Sequence, residues 1–403
     1  MKLTRRNFLS WASLSAVGAV ACEGFGIRRG ELKYQSPAQL PEDLVAGLDN
    51  WYATLCRVCP SHEGILVRVM EGRAKKIQGN PMYPTNQGKQ SARCDGGLQA
   101  LYHPDRLAGP LRRNGPRGSG LFEPIAWPDA LAALRGELQR HGAGMLLVTE
   151  PLRGHLGMVA SRFAKAVGGR HLGFESIDNI TYRTAVKNVF GQDVLPDFDL
   201  EHANYLISFG ADFLSTWLSP TRWGRGYGEF RQGQGRTRRG TLVQVDPRFS
   251  MTAANADRWV PVKPGTEGLL ALSMAYVILA EERQARGADV AALEAFIPEA
   301  VAPKIGIPDG LAGLRPAETI RQLAREFADP KNFPSLAIGG GEATAHSNGV
   351  FNLEAIYALN YLVGSVGTPG GIKFNPGSPL RDLPPGDPLR DLPAAPVVGS
   401  LRD

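Results

Sequence analysis

"TLVQVDPRFSMTAANADRWVPVKPGTEGLLALSMA", residues 241–275, sets the fold class. It opens with an apolar run, Thr241 to Val245, that closes on Asp246. A loop with Gly and Pro follows, and apolar residues then recur at helical spacing from about 266 to 282. The same unit recurs along the chain. "GMLLVTE" (144–150), "NYLISFG" (204–210) and "PSLAIGG" (334–340) are short apolar runs ending on Gly or an acidic residue. Helical patterns fall at about 154–167, 317–327 and 350–362. Strands alternating with helices predict an α/β fold with a parallel sheet covered by helices. Ligands on such sheets lie beyond the carboxyl ends of the strands, so the loops after Phe209, Val245 and Ile338 are where binding residues are expected.

Upstream the texture changes. "CRVCPSHEGILVRV" begins at Cys56, and "ILVRVMEGRAKKI" (65–77) reads as two short strands around a Glu71–Gly72 turn. "GNPMYPTNQGKQSARC" (79–94) is a turn-rich loop that returns the chain to Cys94. Cys56, Cys59 and Cys94 are thus expected in one small β-rich module. "WPDALAALRGELQRH" (127–141) then reads as a helix with Asp129 near its start.

The N-terminus reads as an export signal. "TRRNFLSWASLSAVGAVAC" places Arg5 and Arg6 before 14 largely apolar residues, Phe8 to Ala21. That is short of the ~20 needed to span a bilayer. The paired arginines resemble a twin-arginine signal, which serves proteins exported already folded. "AVAC" resembles a lipobox in which Cys22 is lipidated and anchors the protein on the outer face of a membrane; ordinary signal cleavage is the other reading. Without Cys22, three of the four cysteines remain, an odd number that argues against a disulfide framework.

The divisions expected are therefore a signal at 1–22, a tether at 23–50, the small module at 51–110, α/β domains at 111–374 and a Pro-rich flexible tail at 375–403. "PLRDLP" occurs twice in that tail, at 379–384 and 388–393. Gly 48 and Pro 30 fit a chain with many turns, and the net charge of +6 is mild. Arg222, Arg225, Arg231, Arg236, Arg238 and Arg239 cluster either as a solvated basic loop or as an electropositive wall toward an anionic cofactor or partner. Nucleic acid is not expected, because no stacking aromatics or recognition helix accompany them.

Taken in order, these pieces resemble the molybdopterin oxidoreductases, large subunits that hold a bis-guanine-dinucleotide cofactor. The resemblance runs from Cys56 to about Phe374. It rests on C-x-x-C, the strand pair, Gly79-Asn80-Pro81 with Pro84, Asn86 and Gly88, then Cys94, and on residues 245–275 and "GGGEATAHSNGVFNLEAIYALNYLVGSVGTPGG" (339–371). Within the family the chain looks most like exported iron–sulfur subunits of quinone-linked membrane complexes, such as alternative complex III and the polysulfide-reductase type.

The resemblance implies metal ligation by Cys56, Cys59 and Cys94, with Glu63 where the family carries another cysteine. Thiolates are soft, anionic donors suited to iron clusters, and carboxylate is harder. A three-iron cluster on three thiolates, a 4Fe-4S cluster completed by Glu63 or His62, and a module without a cluster all stay open. Gly96 stands where the family has a basic residue between cluster and pterin, which puts that electron route in doubt. For the dinucleotide, the resemblance implies Gly210 and Asp212 in "SFGADF", Asp246 toward ribose or base, Arg248 toward phosphate, and Gly265 and Glu267 in "PGTE" with Glu267 reading the base. The metal ligand would come from before "FGQD" (190–193), where Asp178 is the candidate, and the sequence has no cysteine after Cys94. The family's closing β domain has no counterpart after about Phe374. The implied role is a scaffold or electron-transfer subunit beside a ferredoxin-like subunit and a polytopic quinone-binding subunit. A catalytic molybdenum or tungsten enzyme acting on a sulfur or other small inorganic substrate is the alternative, as is a remnant of one.

Overall fold

The computed structural model describes residues 47–59, 61–150, 152, 154–174, 180–192, 195–233, 235–281, 285–286 and 316–375. The signal, Cys22, Asp178 and the tail at 376–403 lie outside the described residues. The chain divides into two compact units, the first ending at Arg106 and the second starting at Leu107.

The first unit is a three-stranded antiparallel sheet in the order β1-β2-β3: β1 Asp49–Leu55, β2 Gly64–Met70 and β3 Arg73–Gly79. The hairpin between β2 and β3 turns at Glu71–Gly72, both with positive φ. β1 falls partly inside the stretch read as a tether. Its residues are mostly exposed, so no apolar alternation marks it in the sequence. Arg68 Nε bonds Asp49 Oδ2 at 2.6 Å across the pair. Two short helices follow, α1 Ala92–Asp95 and α2 Gly97–Leu101. The core is small: Cys56, Ile65, Ile77 and Cys94, with Val67 and Leu98 packed against them.

The second unit begins with a strand pair, β4 Leu111–Arg113 and β5 Phe122–Pro124, then α3 Trp127–His141. β6 Leu146–Thr149, α4 Gly154–Ala166 and β7 Arg170–Gly173 form a parallel βαβ unit with its own two-stranded sheet. The apolar run at 144–150 therefore does not join the main sheet, a division that its composition does not reveal.

The main body follows: α5 Ile180–Phe190, β8 Asp197–Phe198, β9 Tyr205–Phe209, α6 Pro220–Gln232, β10 Thr241–Val245, α7 Met251–Ala254, β11 Arg258–Val260, α8 Glu267–Tyr276, α9 Pro316–Ala328, β12 Ser335–Gly339, α10 Gly349–Leu362 and β13 Ile372–Lys373. Its four-stranded parallel sheet has the order β11-β10-β9-β12. All of β9 and β12, and β10 beyond Thr241, are buried. Burial on both faces is why they read as continuous apolar runs. α10 packs on β12, α8 and α5, and α9 packs on α8. The order places β10 and β12 on opposite sides of β9, so the chain reverses its direction of travel between β9 and β12. Such a switch point is where an open sheet of this kind offers a crevice.

Arg238 and Arg239 are exposed, as a solvated basic loop expects, but the other four arginines of the cluster have a different role. Arg222 bonds Glu201 Oε1 at 2.5 Å and lies 3.3 Å from Asp197, and Arg225 pairs with the same Glu201. Arg236 donates to the carbonyls of Glu201 and Ala203, at 2.5 and 2.6 Å. Arg231 is 8% exposed and donates to Gly240 O at 2.6 Å and to Asp257 at 2.5 Å, over the rings of Tyr227 and Phe230. These guanidinium groups tie loops and α6 to the sheet; they are not a free positive wall.

Candidate cofactor sites

In the first unit, the backbone around Glu63 is fixed by Asn86. This amide is 1% exposed; it accepts from Gly64 N–H at 3.1 Å and donates to Gly64 O at 2.9 Å and Lys89 O at 2.5 Å. Gly79 lets the returning loop approach, since a Cβ there would meet Lys89 O at 2.3 Å. Cys56 N–H bonds Glu63 O at 2.8 Å and His62 N–H bonds Cys59 O at 3.3 Å, which closes the C-x-x-C loop. His62 sits at φ +46° in that turn.

These constraints put the Glu63 carboxyl, 1% exposed, beside the start of α1. Ser91 N–H donates to Glu63 Oε2 at 2.9 Å, and the Cys94 thiol donates to the same oxygen at 3.1 Å. Ser91 Oγ caps the helix by accepting from Cys94 N–H at 3.4 Å. Cys56 and Cys94 are buried, Cys59 is half-buried, and all three are free thiols. Burial first, then Cys56, pushes the Cys94 thiol well above the usual thiol range; Ser91 opposes this and Glu63 adds to it. The structure thus joins Cys56, Glu63 and Cys94. Ser91 was missed, although a serine three residues before the buried cysteine is a capping signal.

In the second unit the expected residues lie after β9, β10 and β11, against the loop and helix that follow β12. Asp246 is fully buried; Oδ1 accepts from Arg248 N–H and Oδ2 from Gln244 Nε2, both at 3.1 Å. Asp212 Oδ1 accepts from the Thr252 N–H at 3.0 Å and hydroxyl at 2.7 Å, at the start of α7. The Arg248 guanidinium lies 3.6 Å from Asp212 Oδ2 and 3.3 Å from Glu342 Oε1, with its side chain 57% exposed.

Gly210 has φ +65°, and a Cβ there would lie 2.7 Å from both Ala343 N and Gly340 O. The loops after β9 and β12 pack backbone to backbone at this glycine, so the protein itself makes the close approach. Gly265, at φ +79°, leads into α8; its carbonyl accepts from Asn348 Nδ2 at 2.8 Å, and a Cβ would come within 3.3 Å of the His346 ring.

Glu267 opens α8 fully buried. Its Oε1 has no hydrogen-bond partner, and Oε2 is 3.5 Å from Asn352 Nδ2. Burial raises its pKa above the ordinary carboxyl value, and Asp246 adds to this. Its own backbone N–H, His346 and Gly265 oppose it. Asn352 also joins Gly268 N–H and Ala343 O, at 3.2 and 2.9 Å. Asn352, Glu342 and His346 were not singled out in advance, because single polar residues in a loop and on an apolar helix carry no spacing signal. What results is a group of three buried carboxyls, Asp212, Asp246 and Glu267, with one acceptor oxygen unfilled and one part-exposed arginine beside them. Such a set suits a ligand with N–H donors at one end and an anion at the other.

Two family models match the two units. The molybdopterin oxidoreductase family matches residues 106–378, and the molybdopterin oxidoreductase Fe4S4 domain matches 49–103. The menaquinone reductase molybdopterin-binding-like subunit of Nitratidesulfovibrio vulgaris is 26% identical over 93% of this chain and 53% of its own length. A probable dimethyl sulfoxide reductase chain of Escherichia coli is 28% identical over 92% of this chain and 49% of its own. The acetylene hydratase of Pelobacter acetylenicus superposes with a TM-score of 0.58 at 20% identity, over 78% of this chain and 43% of its own, a likeness of fold. The chain therefore spans about half the length of these relatives. It carries both cofactor domains of the family, the one for molybdopterin and the one for a 4Fe-4S cluster. With residues 106–378, two thirds of the chain, matched by that family, the chain belongs to the molybdopterin oxidoreductases.

Proposed function

We propose that this chain is a scaffold or electron-transfer subunit of an exported, membrane-associated complex linked to quinol, and not an independent catalyst. The observation that carries the reading is the state of Arg248. The guanidinium that would meet a phosphate is already flanked by two carboxylates of the chain, Asp212 and Glu342. The family region, 106–378, also contains no cysteine for a metal. The name of the Nitratidesulfovibrio relative, a molybdopterin-binding-like subunit of a menaquinone reductase, supports the quinol link. Alternative complex III is the type of assembly this reading favours. The twin-arginine and lipobox-like patterns support export and a lipid on Cys22. No helix among the described residues is long and apolar enough to cross a membrane, so the proposed attachment runs through that lipid and through partners.

The base end of the cleft fits a guanine dinucleotide, because the orphaned, buried Glu267 Oε1 lacks the donor that a guanine N–H would supply. Glu267 and Asp246 would hold the base, and Arg248 would meet phosphate on leaving its carboxylates. When bound, molybdopterin would bring a metal centre for oxidation–reduction chemistry. Asp178, the candidate ligand to that metal, remains a proposal. Two proteins fit the partner roles: a ferredoxin-like iron–sulfur subunit and a polytopic quinone-binding subunit.

Purification of the tagged chain from native membranes in mild detergent tests the reading. The expected result is co-purification of an iron–sulfur protein and a polytopic protein, quinol oxidation by the assembly, and molybdenum and tungsten far below one per chain. A chain isolated alone with about one molybdenum or tungsten and turnover of a sulfur compound would replace this reading with the catalytic alternative.

A further inference from the structure

The Fe4S4 domain is present, yet its donors stand in an arrangement unlike that of a cluster site. In a cubane each protein donor ends on its own iron, with sulfides between the irons, so the donors are held apart around an inorganic core. Here they touch one another. The Cys94 thiol donates to Glu63 Oε2 at 3.1 Å, Ser91 N–H fills the same oxygen at 2.9 Å, and Cys56 shares one small buried cluster with Cys94. Cys94 is fully buried, Glu63 is 1% exposed, and the cysteine side chains pack with Ile65 and Ile77 as core. Among the described residues, no three His, Cys, Asp or Glu side chains are grouped to hold a metal ion. Buried cysteine in such surroundings behaves as a small hydrophobe.

We infer that the first unit is closed by a Cys94–Glu63–Ser91 hydrogen-bonded relay in place of an iron–sulfur cluster. Glu63 does two things at once. It removes the fourth thiolate, and its carboxyl reaches across to fill the space in which a cluster would sit. The burial of the carboxyl is made tolerable by the two donors on one oxygen and by the backbone that Asn86 fixes at Gly64. The C-x-x-C loop and the Gly79–Gly88 loop then serve the fold, not electron transfer. This inference concerns the first unit only. Iron content tests it, while molybdenum content tests the reading of the second unit, so either can fail alone.

The test is anaerobic reconstitution of the full chain with ferrous iron and sulfide. Iron and acid-labile sulfide are counted after gel filtration, and EPR spectra are taken before and after reduction. The wild type is expected to retain no stoichiometric iron and to give no cluster signal. Glu63→Cys is expected to retain about four irons and to give a reduced-cluster signal. Glu63→Gln, whose amide oxygen still accepts from Cys94 and Ser91, is expected to stay iron-free and to melt near the wild-type temperature. Three or four irons per wild-type chain with a cluster EPR signal would overturn the inference, as would iron uptake by Glu63→Gln. A folded Glu63→Cys chain that takes up none would also overturn it, since Glu63 would then not be what displaces the cluster. If that variant does not fold, the wild-type and Glu63→Gln counts still decide.

Discussion

Asp199 shows how single charged residues do structural work in this chain. Its side chain is 4% exposed and accepts from His202 Nδ1 at 2.7 Å, from Gly370 N–H at 3.0 Å and from the Lys373 ammonium. Burial alone would raise its pKa. Lys373, Gly370 and His202 outweigh that and bring it from 3.8 to about 2. Because the folded value lies below the unfolded one, the stabilisation is present above about pH 4 and is lost as pH falls through about 2. The shift corresponds to about 2 kcal/mol. Urea unfolding at pH 6 and at pH 2 should therefore show the wild type losing about 2 kcal/mol more than Asp199→Asn. Equal losses in the two proteins would show that another group carries the acid sensitivity. Sequence reading did not find this residue. Its three partners come from positions 202, 370 and 373, and no local pattern joins them.

Elements in this fold are joined by buried side-chain amides as well as by apolar packing. β12 is an edge of the main sheet, and an edge strand presents backbone groups that need partners. Asn360 on α10 supplies them: Oδ1 accepts from Ala337 N–H at 2.8 Å, and Nδ2 donates to Ala337 O at 2.9 Å. The residue is fully buried. Asn360→Leu keeps a similar volume but leaves both backbone groups unpaired, at about 1–3 kcal/mol each. Chemical denaturation should show the variant about 2–5 kcal/mol less stable than wild type, and a change below 1 kcal/mol would mean that water or a shifted backbone satisfies the strand. The strand itself was legible because "SLAIG" is apolar on both faces. Its amide clamp was not, since one Asn in "EAIYALNYLVG" reads as an exception on an apolar helix. α6 was missed for a related reason. "PTRWGRGYGEFRQ" has three glycines and four charged residues, and its helix is held by Arg231 and Arg222 contacts that only the tertiary fold provides.

Across the whole chain, what could be read from sequence follows how deeply each part is buried. The fully buried strands announced the α/β body, and the strand-end position of Asp246 followed from them, whereas Glu267 was marked by the family resemblance of "PGTE". β1, exposed along most of its length, and the separate β6–β7 sheet left no such mark. The same gradient predicts how stability is distributed. β9 lies between β10 and β12 with every residue buried, inside the large core that includes Phe198, Phe209, Leu242, Leu270 and Tyr357. Among the described residues, the first unit has a core of four, two of them cysteines, together with the Asn86 and Glu63 hydrogen bonds. So small a core provides little burial energy, and local opening draws on the weakest region first. Hydrogen exchange of the intact chain should therefore show amides of 64–79 exchanging at least ~100-fold faster than those of 205–209, a gap of ~2.7 kcal/mol in opening free energy. Peptide-resolved mass spectrometry over a time course reads both segments in one experiment. Matching rates would mean that the small unit opens only with the large one, and that its stability cannot rest on its own hydrogen bonds. Glu63→Gln keeps an acceptor for Cys94 and Ser91, so it should leave 64–79 nearly as protected as in wild type. Glu63→Ala removes that acceptor and should speed exchange in 64–79 while leaving 205–209 unchanged.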